Sequence, residues 1–350
     1  MKVIDLFSGA GGLSLGVKRA GFEIVACVEI NRDAMDTYIS HDADATHFNQ
    51  DVRSVDFRRY RGIADLVIGG PPCQPFSVGG LRRASDDSRD MIPEFIRCLD
   101  EAQPEVFLLE NVPGLLLKRA RPYFESVLTR LASRGYILNW AVLNSADYGI
   151  PQRRRRLFVM GSKRNQLKFP QPSHGPDASV PHVRALDILG NEPIGEAPNC
   201  QVKFAKFPDL RPSPYAGHIY NGGGRPIDPD GPSHTILASS GGYKTHWIDT
   251  ENVAPDYHRY LMSGGPPRAG AVPGARRLSV EECAILQTFP RELKFRGRRS
   301  AQYIQVGDAV PPDLAYSVAV SLRDQMQGAS LSGSMKEAFA RTSIQGRFYF

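Results

Sequence analysis

Short apolar runs alternate with segments of helical periodicity in the first half of the chain. Strands are predicted over 2–7, 24–29, 66–68, 105–110, 137–143 and 156–161, and helices over 13–20, 32–40, 91–101 and 122–134. Gly21 and Gly135 follow two of these helices, at the position where glycine commonly ends a helix. Strands that alternate with helices favour a doubly wound, parallel-rich sheet, so we expect an α/β fold.

The pattern changes between residues 174 and 273. Proline and glycine are dense there, helical periodicity disappears, and short segments such as 234–238 indicate β pieces joined by loops. Helical character returns over 278–287 and 312–326. The expected domains are a discontinuous catalytic domain over 1–173 and 276–327, a smaller loop-rich domain over 174–275, and a Ser/Gly-rich, then basic, tail over 328–350.

The net charge and the arginine clusters indicate a class of binding partner. The chain of 350 residues carries a net charge of +6, with a pI near 9.1. Its arginines cluster beside the sequence motifs described below, at 82–83, 153–156, 276–277 and 296–299. Clusters in those places favour a groove that holds nucleic-acid phosphates, and a solvated surface charge run is the alternative.

The cysteines and the apolar runs restrict the location. Five cysteines, an odd number, show no CxxC or metal-ligand spacing, which argues against a disulfide framework and a structural zinc. We therefore expect no metal and a reducing, cytoplasmic environment. The N-terminal residues fit no signal peptide, and no apolar run approaches about 20 residues, so a membrane partner is not expected.

One cysteine has an unusual setting. Cys73 lies in the segment Gly-Gly-Pro-Pro-Cys-Gln-Pro-Phe-Ser over 69–77, directly after the apolar run 65–69. Pro71 and Pro72 fix their own backbone and restrict the residue before them, so the exit from the predicted strand is stiff. The thiol is thus held at a strand end, where α/β folds bind ligands. A buried, inert cysteine after a turn is the alternative.

Further motifs follow in a fixed order. They lie at 5–13 (Asp-Leu-Phe-Ser-Gly-Ala-Gly-Gly-Leu), 29–31, 51–52, 110–112, 152–156, 276–290 and 307–312. Together with 69–77 they resemble the DNA cytosine-C5 methyltransferase family, over residues 1–161 and 276–325. The resemblance implies a Rossmann-like, S-adenosylmethionine-dependent methyltransferase domain beside a target-recognition domain, as in prokaryotic restriction-modification enzymes.

The cofactor class also follows from the residues. A dinucleotide fingerprint needs glycine where this chain has Ser14, and no phosphate loop is present, which disfavours NAD. Glu29 ends a predicted strand and is placed to accept from ribose hydroxyls, Asp51 to accept from an adenine amine, and Ile30 with Val52 to cover the ring. Ordinary strand-end carboxylates are the alternative. The resemblance favours S-adenosylmethionine, with S-adenosylhomocysteine as product and Phe7 at the sulfonium.

The positions expected to contact the cofactor lie in a family motif or at a predicted strand end, except for Ile92, which lies at the start of the predicted helix 91–101. They are Phe7, Ser8, Gly9, Ala10, Gly11, Gly12, Leu13, Glu29, Ile30, Asn31, Asp51, Val52, Gly70, Pro71, Ile92, Asp308 and Val310. Asp308 departs from the family, which usually has Asn there, and it lacks the amide donor. The block 276–290 is expected to be structural, with Glu282 paired to a basic side chain.

Methylation of cytosine C5 requires covalent catalysis, because this carbon is a poor nucleophile. We expect the Cys73 thiolate to add to C6 and Glu110, in an apolar strand that favours its acid form, to protonate N3. A helix cap is the alternative for Glu110. The resemblance adds the QxRxR pattern, which makes Arg154 and Arg156 catalytic candidates beside Gln152. Arg153 and Arg155 are expected on the opposite face, as surface charge.

A stacked duplex hides C6, so the target base must leave the helix. The segment 77–89 is expected to be a mobile loop that closes over DNA, and a surface loop in every state is the alternative. Base-reading segments are expected at 220–225 and 239–246. The expected DNA contacts are Ser77, Arg82, Arg83, Arg89, Gln152, Arg225 and Lys244.

The preferred hypothesis is therefore a DNA cytosine-5 methyltransferase that acts on double-stranded DNA. Two alternatives are an RNA cytosine-C5 methyltransferase and a non-catalytic nucleic-acid-binding relative. A NAD-type oxidoreductase is disfavoured by Ser14. A monomer is expected, with a cognate restriction endonuclease as a functional partner only.

Overall fold

The computed structural model describes residues 1–72, 89–190 and 192–328. Two compact units divide the chain. Unit 1 comprises Met1–Asn144, Arg155–Gln171 and the segment from Pro312 onward, and unit 2 comprises Ser145–Arg154 and Pro172–Pro311. Within the described residues, no helix is both long and apolar enough to cross a membrane.

The strands and helices are numbered in chain order. The strands are β1 (Lys2–Leu6), β2 (Glu23–Val28), β3 (Thr46–Phe48), β4 (Leu66–Gly69), β5 (Val106–Asn111), β6 (Ile137–Asn144), β7 (Arg155–Ser162), β8 (Phe204–Asp209), β9 (His218–Tyr220), β10 (Trp247–Asp249) and β11 (Ala275–Arg277). The helices are α1 (Gly12–Arg19), α2 (Arg32–Ile39), α3 (Ile92–Ala102), α4 (Arg121–Ala132), α5 (Ala185–Leu189), α6 (Val253–Met262), α7 (Val280–Leu286), α8 (Arg299–Asp308) and α9 (Pro312–Met326).

Unit 1 contains a mixed sheet with the strand order β3-β2-β1-β4-β5-β7-β6. The first five strands of this order pair in parallel, whereas β7 runs antiparallel to both β5 and β6. The predicted α/β fold is confirmed, and the antiparallel end of the sheet is an addition to it. In the parallel part the carboxyl ends of the strands share one edge, which is where such sheets bind ligands.

Helix α9 completes unit 1 by packing against α1. Gly16 on α1 makes this approach possible, because a Cβ atom at this position would lie 2.4 Å from the Pro312 carbonyl oxygen and 2.5 Å from the Ala315 Cβ. Arg19 and Asp313 form an ion pair between the same helices. The last described helix therefore covers the first.

Unit 2 contains two small antiparallel sheets, β8 with β9 and β10 with β11. Its core is aromatic, with the Tyr220 and Trp247 rings in edge-to-face contact at 4.9 Å. The block 276–311, which the sequence places with the catalytic domain, belongs to this unit. The reason is the β10–β11 pairing, in which Trp247 lies opposite Arg277.

Three details of the predicted secondary structure in unit 2 are wrong. Residues 234–238 form no strand, because buried side chains from 152–154 hold their backbone instead. Helix α6 lies within the stretch that lacks helical periodicity, and the Asp249 carboxylate caps it by accepting from the amides of Val253 and Ala254, at 3.0 and 2.7 Å. Helix α8 was not predicted at all.

Candidate active site

The ends of β4 and β5 meet at the ligand-binding edge of the sheet. The Asn111 amide donates from Nδ2 to the Pro71 carbonyl at 2.9 Å. A Cβ atom at Gly70 would lie 2.9 Å from Oε2 of Glu110. The acid candidate on β5 is thus held against the segment that leads into Cys73. Cys73 itself, with Ser77, Arg82 and Arg83, lies outside the described residues.

Glu110 has an arginine partner on the neighbouring strand. Register places Glu110 opposite Phe158 and Asn111 opposite Leu157, so Arg156 begins beside the end of β5. Its Nε lies 2.9 Å from Glu110 Oε1, and the two side chains are 13% and 10% exposed. A guanidinium at this distance stabilises the ionised carboxylate, opposing the effect of the apolar strand. Two of the predicted catalytic residues therefore lie together.

The turn after β1 has a strained backbone. Phe7 adopts a φ of +58° and Gly9 one of +54°, and left-handed conformations at bulky residues are concentrated at functional sites. Among the described residues, and apart from Gly9 and its two chain neighbours, no heavy atom lies within 4 Å of the position of a Cβ atom on Gly9. The Glu29 carboxylate accepts from the amides of Gly9 and Asn31, at 2.9 and 2.7 Å. The turn is thus tied to the end of β2 with open space beside it.

Buried polar groups support the same turn from behind. The His41 ring nitrogen Nε2 lies 2.8 Å from the Ala10 carbonyl oxygen. Asp5 accepts from the Ser14 hydroxyl at 2.6 Å, and Ser14 accepts from Tyr38 at 2.8 Å. Burial raises the pKa of Asp5 to about 7. This network was not predicted, since its members are spread over β1, α1 and α2.

The other predicted cofactor positions of unit 1 vary in exposure. Asp51 accepts from Arg53 at 2.6 Å, and this hydrogen bond lowers the pKa of Asp51 to about 2. Ile30 is 67% exposed, whereas Val52 is 4% exposed and belongs to the core. Ser8, Ala10, Gly11, Gly12, Leu13, Pro71 and Ile92 are buried. Of the two residues predicted to cover the adenine ring, Ile30 is therefore accessible to a ligand, whereas Val52 is buried.

The remaining predicted cofactor positions belong to unit 2. Asp308 is the exposed last residue of α8, and Val310 is 6% exposed. The Gly307 carbonyl between them accepts from Arg154 Nη2 at 2.6 Å. The backbone of Gly307 also lies close to that of Leu237, because a Cβ atom added at Gly307 would lie 2.2 Å from the Leu237 carbonyl carbon.

Gln152 and Arg154 are fully buried in unit 2. Gln152 donates to Gln287 at 3.0 Å and accepts from the Ile236 amide at 2.9 Å. Arg154 donates to the carbonyls of Ile236 and Gly307, at 2.8 and 2.6 Å. Both side chains therefore hold backbone segments of unit 2. Arg153 and Arg155 are exposed, as the alternating pattern predicts.

The described DNA-contact candidates lie at or near the surface. Arg89 is exposed in the turn before α3, and Lys244 is exposed in unit 2. Arg225 is half-buried, with Nη2 3.0 Å from the His218 ring. Nearby, the buried His246 bridges two segments, since its Nδ1 accepts from the Arg225 amide and its Nε2 lies 3.2 Å from the Thr235 carbonyl.

The structural role expected for Glu282 is confirmed. Glu282 is fully buried and pairs with Arg276 at 2.8 Å. It also completes a capping box with Ser279 at the start of α7. The fold and the meeting of Glu110 and Arg156 at the strand ends thus define a Rossmann-type enzyme whose acid lies beside a cysteine-bearing segment.

Comparison with known proteins gives the family. Residues 1–324 match the model of the C-5 cytosine-specific DNA methylase family, and the chain belongs to this family. It is 34% identical over 331 residues to the Type II methyltransferase M.AplI of Arthrospira platensis, covering 92% of this chain and 85% of that protein. It is 32% identical to M.FnuDI of Fusobacterium nucleatum, covering 93% and 95%.

Solved structures agree on the fold. A putative DNA modification methyltransferase from an E. coli prophage superimposes with a TM-score of 0.67 at 23% identity, over 93% of this chain and 99% of that one. S. pombe Dnmt2 gives a TM-score of 0.67 at 19% identity, over the same shares. The chain is an enzyme that methylates C5 of cytosine in DNA.

Proposed function

We propose that the enzyme methylates a cytosine that has rotated out of a specific short duplex sequence, through a covalent bond between Cys73 and C6. Addition of the thiolate to C6 moves electrons to N3, where Glu110 supplies a proton. With S-adenosylmethionine bound, C5 would accept its methyl group and S-adenosylhomocysteine would leave. Loss of the C5 proton to solvent and of the N3 proton back to Glu110 would then break the C6–S bond and return the Cys73 thiolate. Covalent catalysis of this kind divides one difficult step into easier ones.

The observation that carries this proposal is the contact between the ends of β4 and β5. Asn111 holds the Pro71 carbonyl at 2.9 Å, and Glu110 Oε2 lies against Gly70. Both contacts fix the acid relative to the backbone that enters Cys73. Arg156 occupies the Oε1 side of Glu110, so Oε2 is the oxygen we assign to carry the proton. Arg156 orients the acid and is placed to hold the base carbonyl.

The other cysteines favour Cys73 as the nucleophile. Burial raises the pKa values of Cys27, Cys98 and Cys283. Those thiols are therefore kept in their unreactive protonated form, because the thiolate is the nucleophile.

Unit 1 fits S-adenosylmethionine at the turn after β1. Bound there, the cofactor supplies an electrophilic methyl group on a positively charged sulfur. The open space at Gly9 admits a ligand next to the backbone, and Phe7, whose backbone φ is +58°, lies at the same turn. Glu29 follows β2 and Asp51 lies three residues after β3, and they are proposed as the ribose and adenine partners, with Ile30 over the ring. The other backbone and side-chain contacts that the sequence predicts stay part of this proposal.

Unit 2 is proposed to read the DNA sequence through contacts from Arg225 and Lys244. Arg89, which belongs to unit 1, is proposed to lie near DNA phosphates. We further propose a monomeric, cytoplasmic enzyme of a restriction-modification system, with an endonuclease as a functional partner only. Gln152 and Arg154 are proposed to act by holding the backbone of unit 2, because Arg154 donates to the Ile236 carbonyl and Gln152 accepts from the Ile236 amide.

A trapping experiment tests the mechanism. Duplex DNA with 5-fluorocytosine, incubated with enzyme and S-adenosylmethionine, should form a stable complex because fluorine cannot leave as a proton does. Peptide mass spectrometry should find the adduct on Cys73, and Cys73→Ser should form none while still binding DNA. An adduct on Cys200 or another cysteine contradicts the assignment. RNA of the same sequence should remain unmodified.

A further inference from the structure

Two glycine-rich turns of unit 2 lie against each other. A Cβ atom at Gly222 would lie 2.3 Å from the Tyr243 Cβ, and one at Gly224 would lie 2.0 Å from the Thr245 carbonyl oxygen. The Gly224 amide donates to the Tyr243 carbonyl at 3.2 Å. Only glycine permits this approach, and Gly222 also has a φ of +80°. We call the pair, residues 220–225 and 241–245, the twin turns.

The twin turns present an aromatic ring and a cation to solvent. Tyr243 is 54% exposed, and Lys244 beside it is exposed. The turn beneath them is fixed, because the Thr245 hydroxyl accepts from the Gly241 amide at 2.9 Å and Thr245 is fully buried. A large ring that a rigid turn holds in solvent is not buried in the core and so does not stabilise the fold by burial. Exposed rings of this kind are typical of binding contacts.

A buried arginine lies under Tyr243. Arg277 is 3% exposed, and it donates to the Thr245 carbonyl at 2.7 Å and to the Cys200 carbonyl at 3.0 Å. Its guanidinium carbon lies 5.8 Å from the centre of the Tyr243 ring. One side of the tyrosine is therefore fixed by a cation while the ring stays largely in solvent.

The charge of this arginine is uncompensated in the part of the chain that the structure describes. None of the ion pairs among those residues includes Arg277, and its Nη2 atom has no hydrogen-bond partner there. A buried guanidinium without a carboxylate produces a positive potential at the nearby surface. That surface is the one formed by Tyr243 and Lys244, and it suits an anionic, aromatic polymer.

We infer that Tyr243 stacks on a nucleobase of the target DNA and that Arg277 is the positioning residue that holds its ring. The inference rests on the proposal that unit 2 reads DNA. It assigns a role to Tyr243, which lies within the expected base-reading segment 239–246, and to Arg277, which lies outside it. Lys244 contacts the adjoining phosphate. The rigid twin turns keep the ring in place before DNA binds, so little order is lost on binding.

The test uses the full-length enzyme and duplexes containing its target, mapped first by bisulfite sequencing. Each duplex of a series carries one abasic position, and affinity is measured by fluorescence anisotropy. Tyr243→Leu should weaken binding of intact DNA by roughly 5- to 100-fold, the range for one base–aromatic stack. Wild-type enzyme should bind one duplex of the series more weakly than intact DNA, namely the one whose abasic position removes the stacked base. Tyr243→Leu should bind that duplex and intact DNA with equal affinity. Tyr243→Phe should restore wild-type behaviour.

A matched control is available in unit 1. Tyr316 is 37% exposed and also lies on an arginine, with the Arg19 guanidinium 4.9 Å from its ring centre. Tyr316→Leu should leave the abasic profile unchanged. Phe207 is 83% exposed in unit 2, and it is the alternative candidate for the stacking ring. If the abasic response persists in Tyr243→Leu and disappears in Phe207→Leu, the role of Tyr243 is overturned.

Arg277 is tested through Tyr243. Arg277→Lys keeps the charge and loses the fork of donors, so it should weaken DNA binding in the wild-type background and have little further effect in Tyr243→Leu. Equal losses in both backgrounds would show an independent structural role and contradict the inference. DNA methylation by wild type is recorded on the same duplexes. A swap of unit 2 that leaves the target unchanged counts against DNA reading by this unit, whereas an unaltered Tyr243→Leu profile counts against Tyr243 alone.

Discussion

Arg156 Nε lies 2.9 Å from Glu110 Oε1 across the β5–β7 pairing. At the other end of the same two strands, Arg164 Nε lies 2.5 Å from Glu105 Oε1. The two pairs have the same chemistry, but only the first lies at the edge where β4 ends. This repetition provides an internal control for the catalytic assignment.

Glu110→Gln should lower turnover by about 10²- to 10⁴-fold, the usual cost of losing a positioned acid. Glu105→Gln removes the matching carboxylate and should leave turnover within about 2-fold, because a partly exposed ion pair contributes little. Single-turnover methylation of radiolabelled DNA measures both, with cofactor affinity measured in parallel. Normal single-turnover chemistry in Glu110→Gln would mean that another group protonates N3.

Two neighbouring glycines should respond differently to alanine. At Gly70 the new Cβ atom meets Glu110 Oε2 at 2.9 Å, whereas at Gly69 it meets the Leu6 carbonyl oxygen at 2.6 Å. Gly70→Ala should therefore displace the acid and lower turnover by as much as about 10²-fold. Gly69→Ala should instead destabilise the sheet by about 1–3 kcal/mol. Turnover and the thermal midpoint of both variants check this, and equal effects on stability would contradict it.

Acid should destabilise unit 2 through His246. Burial lowers its pKa from the ordinary 6.5 to about 4, so between these values the unfolded chain binds a proton that the folded protein excludes. Stability should fall as the pH falls through this window, by up to about 1.4 kcal/mol per pH unit. His246→Gln should flatten the dependence measured by urea denaturation. His218→Gln, a change at an exposed histidine of the same unit, is the control variant.

Asp5 should give the opposite dependence. Burial raises the pKa of its carboxyl from 3.8 to about 7, so the folded protein retains a proton that the unfolded chain has lost. Its contribution to stability is full below about pH 4 and is lost as the pH rises toward 7. Asp5→Asn should therefore be more stable than wild type above pH 7. The exposed Asp56→Asn serves as control, and an unchanged thermal midpoint at pH 8 in Asp5→Asn would refute this.

An exchange of target specificity should follow the compact units. Replacing 172–311 with the corresponding segment of a differently specific relative should change which cytosine is methylated and leave cofactor affinity nearly constant. Replacing only 174–275 separates Trp247 on β10 from Arg277 on β11, so that chimaera should be less stable. Bisulfite sequencing and thermal denaturation decide between these outcomes. An active 172–311 chimaera that keeps the parental target would locate recognition elsewhere.

The sequence predicts what depends on local pattern. Glu110 is expected in the site because it ends an apolar strand, and Arg156 because it belongs to the QxRxR pattern of the resembled family. Their pairing follows from register. The partners of Arg154 were not predictable, since the carbonyls at Ile236 and Gly307 lie 82 and 153 positions away. Arg277 gave no signal either, because a basic residue beside Arg276 is equally typical of surface charge. Burial of such groups is a property of the folded chain.

The close contact of α1 with α9 has a consequence for synthesis. Arg19 and Asp313 are 294 positions apart, and the glycine face of α1 stays uncovered until α9 has left the ribosome. Unit 1 therefore cannot close until α9 has been synthesised, while unit 2 precedes α9 along the chain. Non-local contacts of this span slow folding, so an incomplete chain presents a bare helix face to chaperones and proteases. Methylation capacity should thus appear only after α9 has been synthesised and has packed against α1.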